Sequence, residues 1–156
     1  MKSLVVYDSQ FGNTKTIAEI IGTALETNGP TRVVSVETVT EEDLGSLDLL
    51  VVGAPTQAHG MRPGMRPFLE GLRALPATSA LAAAFDTRLR GPEFIWGSAA
   101  HTIAHDLRRA DLKLIAEPES FFVTMGKTPE LERGEAERAR AWAVELGARV
   151  ASGQPV

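Results

Sequence analysis

The run Leu4-Val5-Val6 passes through Tyr7 into Asp8-Ser9-Gln10-Phe11-Gly12-Asn13-Thr14, and from Lys15 onward apolar residues recur at helical spacing. No other feature of the chain constrains its fold as much. A strand that is apolar on both faces must be covered on both sides, as happens in parallel sheets. The connection leaving it is built of hydroxyl, amide and glycine residues with one aromatic among them. Ser9, Asn13 and Thr14 offer side-chain donors, and Gly12 lets the backbone wrap closely around a ligand. The first N–H groups of the helix and its positive dipole end face this loop, which suits a tetrahedral anion such as a phosphate monoester. An ordinary helix cap uses the same residue types, so spacing alone leaves both readings open.

The strand–helix alternation continues along the chain. Ile17, Ile20, Ile21, Ala24 and Leu25 share one helical face, and Asn28-Gly29-Pro30 ends that helix. Residues 31–36 alternate like a half-exposed edge strand. Leu49 to Val52 form a second wholly apolar strand, leaving through Gly53-Ala54-Pro55-Thr56-Gln57-Ala58-His59-Gly60. Phe68, Leu69, Leu72 and Leu75 predict a helix opened by Pro67 and closed at Pro76. Ala80 to Phe85 read as a buried strand of mostly small residues, leaving through Asp86-Thr87-Arg88. Ser98 is the expected N-cap of a helix that turns Ala100, Ile103, Ala104 and Leu107 inward. Residues 112–116 and 120–123 are strand-like, and Pro118 between them predicts an interrupted last strand. Ala139, Trp142, Ala143, Leu146 and Val150 make the apolar face of a C-terminal helix. The expected architecture is α/β, three layers around a doubly wound five-stranded parallel sheet of order 2-1-3-4-5. Residues 1–150 form one domain in this reading, with 151–156 a frayed tail.

Composition removes several functions. The net charge of −4 argues against a nucleic-acid partner. With no cysteine there is no disulfide, thiolate nucleophile or cysteine-ligated cluster, so redox work requires a borrowed cofactor. No apolar run reaches membrane-spanning length, and no signal-peptide pattern opens the chain, which points to the cytoplasm. His101 and His105 have the i, i+4 spacing of a zinc pair, but the Glu of HExxH is missing and no third ligand is evident, which favours a solvated helix face. A phosphorylated receiver domain would need an acceptor aspartate after strand 3, where Gly53-Ala54-Pro55 stands.

The run from Leu4 to Ala18 resembles the phosphate-binding signature of the flavodoxin family, whose Ser/Thr-x-x-Gly-x-Thr loop after strand 1 holds the 5′-phosphate of FMN. Ser9, Gly12 and Thr14 match it, with Phe11 and Asn13 also common there. The resemblance extends over roughly residues 3–148. Gly53-Ala54-Pro55-Thr56 looks like the family's exit from strand 3. Residues 84–88, 97–100 and 134–139 look like those of a bacterial short-chain branch. Membership would imply that Ser9, Gln10, Phe11, Gly12, Asn13 and Thr14 hold the phosphate side of FMN. It would place Pro55, Thr56, Gln57, Ala58, His59 and Gly60 in one loop beside the isoalloxazine, and Asp86, Thr87 and Arg88 in the other.

The implied function is one-electron carriage between a reductase and a redox enzyme, with no catalytic acid or base. The same scaffold also supports an FMN-dependent NAD(P)H:quinone or porphyrinogen-type oxidoreductase, whose pocket His59, Arg62 and Trp96 would line. A third alternative is a binding module that has lost FMN.

Two departures from the family pattern stand out. The usual tyrosine of the strand-4 loop is missing, leaving Phe94 and Trp96 as aromatic cover for the ring or as packing core. His59 could touch the ring or sit in a solvent-exposed loop. Where many members are acidic, residues 61–66 carry Arg62 and Arg66. Two cations beside the ring would favour the anionic, fully reduced flavin, and a contact of ~1.4 kcal/mol raises a one-electron potential by about 60 mV. The two arginines could equally be solvated or meet an anionic partner.

Overall fold

The computed structural model describes residues 1–57, 60–76 and 79–154. Strand β1 (Ser3–Tyr7) leads into helix α1 (Asn13–Leu25), which tightens into a 3-10 turn at Glu26–Asn28 before β2 (Thr31–Ser35). A crossover containing only a 3-10 turn, Glu42–Leu44, reaches β3 (Leu49–Gln57). Then follow β4 (Gly60–Met61), α2 (Met65–Leu72), β5 (Leu81–Leu89), α3 (Glu93–Trp96) and α4 (Ala99–Arg109). The chain closes with β6 (Lys113–Leu114), β7 (Glu119–Val123) and α5 (Glu135–Ser152).

The sheet order is β2-β1-β3-β5, with β6 and β7 both parallel to β5 along its remaining edge. The expected order is therefore met, and its fifth position is filled by two short strands. Pro118, which has no N–H to donate, lies in the gap between them. One antiparallel feature was not foreseen: β4 folds back on the end of β3, pairing Met61 with Thr56 and Gly60 with Gln57.

The two predicted loop exits are largely strand. Pro55, Thr56 and Gln57 belong to β3, and Asp86, Thr87 and Arg88 are buried within β5. Register explains the extension, because Ala54 and Pro55 still pair with Asp86 and Thr87. Helix α2 starts at Met65, so Pro67 sits inside its first turn, where its missing N–H costs nothing.

Each face of the sheet buries its own core. On one side α1 and α5 cover Val5, Val51, Phe85 and Phe121. Phe85, Phe121 and Trp142 meet edge to face there, with centroids 6.0–6.3 Å apart. On the other side α2 and α4 cover Leu4, Val6, Leu50 and Val52. Each fully buried Leu, Ile or Phe contributes roughly 1.5–3 kcal/mol. Gly53 is part of this packing, since a Cβ there would stand 2.1 Å from the Phe85 ring.

Strand β7 is clamped to α5 by charge. Arg138 bonds both Glu119 (2.8 Å) and Glu135 (2.7 Å), and Phe122 N–H donates to Glu135 (2.8 Å). Burial pushes the Glu135 carboxyl up, but Arg138 and the Phe122 N–H outweigh it and hold the group below its ordinary value.

Candidate functional site

The carboxyl ends of β1, β3, β5 and β7 converge on a small cavity of about 140 Å³. Gln10, Phe11, Asn13 and Thr14 line it from the first loop, Pro55, Thr56 and Gln57 from β3, and Thr87 and Arg88 from β5. That volume holds roughly four or five waters, enough for a small polar group such as a phosphate.

The first loop is shaped by Gly12, whose φ of +90° is left-handed and whose absent Cβ would meet nothing within 4 Å. Ser9 Oγ turns inward and accepts from Gly12 N–H (3.1 Å) and Lys15 N–H (3.4 Å). So Ser9 does cap the loop, whereas Asn13 does not cap the helix. Its amide donates instead to the Pro129 carbonyl at 2.8 Å. Thr14 is buried, with its hydroxyl 2.8 Å from that of Thr87. Among the described residues, the backbone N–H groups of Gln10, Phe11, Asn13 and Thr14 meet no acceptor. They lie at the positive end of α1. This is a neutral donor set for an anion, with no lysine or arginine inserted among the loop residues.

The second group braces the site. Thr56 Oγ1 donates to Asp86 Oδ2 (2.9 Å) and accepts from Ala99 N–H (2.8 Å). The same Asp86 oxygen also receives Ser98 Oγ (2.8 Å) and Ala100 N–H (3.1 Å). Asp86 is fully buried and does not line the cavity. Its carboxylate ties β3, β5 and the start of α4 into one unit. Ser98 is the N-cap of α4 as expected, accepting from His101 N–H.

Arg88 does line the cavity, but its donors are spent on Ser120 Oγ and the Leu89 and Gly91 carbonyls, with Glu93 3.5 Å away. It thereby fixes the turn that carries Phe94, Ile95 and Trp96. All three are exposed, Phe94 by 88%, so the packing-core reading of these aromatics does not hold. Glu93 also meets His101 Nδ1 at 3.0 Å.

Among the expected contacts, Gln57 donates its side-chain amide to Gln10, joining the first two loops. Gly60 sits in β4, while Ala58 and His59 lie outside the described residues. Arg62 is not a free cation, because its Nη1 lies 3.1 Å from Asp8 Oδ1. Sequence reasoning missed Leu89, Val123 and Pro129, which complete the lining. The segment from Thr124 to Glu130 folds back through Thr124 N–H to the Glu130 carbonyl and Glu132 N–H to the Phe122 carbonyl. The strand-end rule that singled out the other loops covers β7 equally, and that was the available signal.

Among the described residues no group of three potential metal ligands gathers, and no helix is long and apolar enough to cross a membrane.

A family model described as a flavodoxin domain matches residues 4–128. No curated protein sequence matches the chain. Among solved structures, a flavodoxin from the domain Archaea superposes with a TM-score of 0.78 at 24% identity, over 97% of this chain and 99% of that one. Flavodoxin 1 of Bacillus cereus gives 0.78 at 19% identity, covering 94% and 97%. The rubredoxin oxygen:oxidoreductase of Desulfovibrio gigas gives 0.78 at 15%, covering 97% of this chain but 36% of its own length. At these identities the structures speak for the fold alone.

Proposed function

The chain belongs to the flavodoxin family, and from that premise we propose that it binds FMN at the carboxyl ends of β1, β3 and β5 and serves as a one-electron carrier. The observation that carries the proposal is the Gly12 turn at the start of α1. Its unpartnered N–H groups offer a phosphate the donors it needs without a cation. The residues present fit the group. Gln10, Phe11, Asn13 and Thr14 line one side of a cavity large enough for the phosphate, and Thr56, Gln57 and Thr87 line its far side.

When bound, FMN supplies one-electron redox chemistry, and the protein supplies binding, orientation and electrostatic tuning. The ring would lie between the carboxyl end of β3 and the turn held by Arg88, where Phe94 and Trp96 stand exposed. Trp96 takes the role of the missing tyrosine in this reading. Exposed apolar side chains on the segments that follow β1, β5 and β7 (Phe11, Phe94, Ile95, Trp96 and Met125) suit transient docking of a reductase and an acceptor enzyme in the cytoplasm. The alternative of an oxidoreductase with its own substrate pocket is less well supported, because Arg62 is committed to Asp8.

The test is a fluorescence titration of the apoprotein with FMN, followed by a melting experiment. Stoichiometric quenching of the flavin and a raised melting temperature are expected. If saturating FMN changes neither, the proposal fails. Turnover of a quinone by NAD(P)H without added reductase would transfer it to the enzyme reading.

A further inference from the structure

A parallel crossover normally lays a helix on the sheet, yet residues 36–48 between β2 and β3 contribute only the 3-10 turn Glu42–Leu44. Helix α2 therefore has no helical neighbour on that side. A trough is left between the crossover and α2, with Val36, Val39, Leu44, Phe68, Leu72 and Leu75 along it. A cavity of about 310 Å³ occupies its upper part. A second, of about 480 Å³, continues it toward the amino ends of β3 and β5. The two share Glu41, Leu44, Leu72 and Leu75, so they form one groove. It lies apart from the cavity at the strand carboxyl ends and does not depend on the flavin reading.

Its rim is acidic. Glu41 lines both cavities, Glu37 and Glu42 are exposed on the same crossover segment, and none of the three meets a cation within ion-pair distance among the described residues. Asp43, in the same acidic run, behaves differently. It is buried, accepts from Thr40 N–H and pairs with Arg32, so it builds the turn and leaves its neighbours free. The cations on the flanking elements are Lys2, whose ammonium is held by the Gly45 carbonyl at 2.8 Å, Arg66 and Arg73 on and just past α2, and Arg109 and Lys113 beside the lining residues Ala110 and Leu112 of the second cavity.

We propose that this groove docks an amphipathic, basic helix of a partner protein. The guest would take the place of the absent crossover helix, with its apolar stripe on Leu44, Phe68 and Leu75 and its lysines or arginines against Glu37, Glu41 and Glu42. Helix α2 spans about 12 Å, so the groove accommodates roughly two to three turns of guest helix.

The test uses the full chain and three labelled peptides of about 12 residues, read by fluorescence anisotropy. One has leucines at i, i+3, i+4 and i+7 with lysines elsewhere, one replaces lysine by glutamate, and one scrambles the first. The lysine peptide should saturate, with about tenfold tighter binding than either control. Glu41→Lys together with Glu42→Lys should weaken it by about tenfold, while Glu137→Lys on α5 leaves it unchanged. Gly71→Gln should also block it. A Cβ at Gly71 meets nothing within 4 Å, so this variant keeps its fold while filling the groove edge. Absence of saturable binding, equal binding of the three peptides, or indifference to both groove variants would overturn the proposal. So would concentration-dependent dimerisation abolished by Gly71→Gln, which would make a second copy of the chain the occupant.

Discussion

The Arg62 guanidinium lies 3.1 Å from the Asp8 carboxylate, joining the segment that follows β4 to the end of β1. Asp8 is buried, and its second oxygen finds no donor, so Arg62 is the partner that makes its charge tolerable there. The basic stretch 61–66 thus delivers less positive charge to the site than its composition promises. Arg66 stays exposed, but Arg62 is neutralised.

Releasing Arg62 should therefore tune the bound flavin. In Asp8→Asn the uncompensated guanidinium favours the anionic, fully reduced cofactor. The second one-electron potential should rise by about 30–60 mV, measured by equilibrium redox titration. An unchanged or lowered potential would show that the pair lies too far from the ring to matter.

Asp86 is a brace whose removal should register as stability. Asp86→Asn can still offer one oxygen to Thr56, Ser98 and Ala100 N–H, but it loses the charge that strengthens those bonds and buries an amide NH2 where the second carboxylate oxygen has no partner. The expected loss is about 2–3 kcal/mol, or roughly 5–10 °C in melting temperature for a chain of this size. A melting curve within about 2 °C of the parent would refute the bracing role.

Three glycines should separate by mechanism. Gly12→Ala meets no steric obstacle but must hold φ near +90°, at a cost of about 1 kcal/mol, and should also weaken FMN. Gly60→Ala also meets nothing within 4 Å and is not in the left-handed region, so it should be close to neutral. Gly53→Ala drives a methyl into the Phe85 ring and should cost about 3 kcal/mol. Urea unfolding of the three variants gives the ranking, and equal losses at Gly12 and Gly60 would dismiss the strained-turn account.

Glu135 sets an acid limit. Its carboxyl is held below the ordinary value of 4.5, so its stabilisation is complete above that pH and is lost as pH falls through the lower folded-state value. Glu135→Gln should be less stable than the parent by about 2 kcal/mol near neutral pH, with the gap closing in acid. A difference independent of pH would mean that packing, not charge, accounts for the effect.

Most of the frame could be read from the chain. The double-sided apolar strands 4–6 and 49–52 predicted a covered parallel sheet, Pro118 predicted the split last strand, and Ser98 predicted its cap. Boundaries were less legible. Pro55 to Gln57 and Asp86 to Arg88 contain turn-prone and polar residues, yet ladder pairing and a shared carboxylate hold them in strands. The loop of residues 124–130 went unnoticed because nothing local says that Pro129 will meet Asn13, which lies far away along the chain.

Local patterning determined the sheet, its helical cover and a donor-rich loop at the head of α1, because period and turn chemistry act over a few residues. Tertiary structure decided which donors stay free. Ser9 Oγ is occupied as an acceptor within its own loop, Thr14 meets Thr87, Asn13 donates to Pro129 and Arg62 pairs with Asp8. The last three of these depend on which distant segments become neighbours, and no spacing along the chain encodes that.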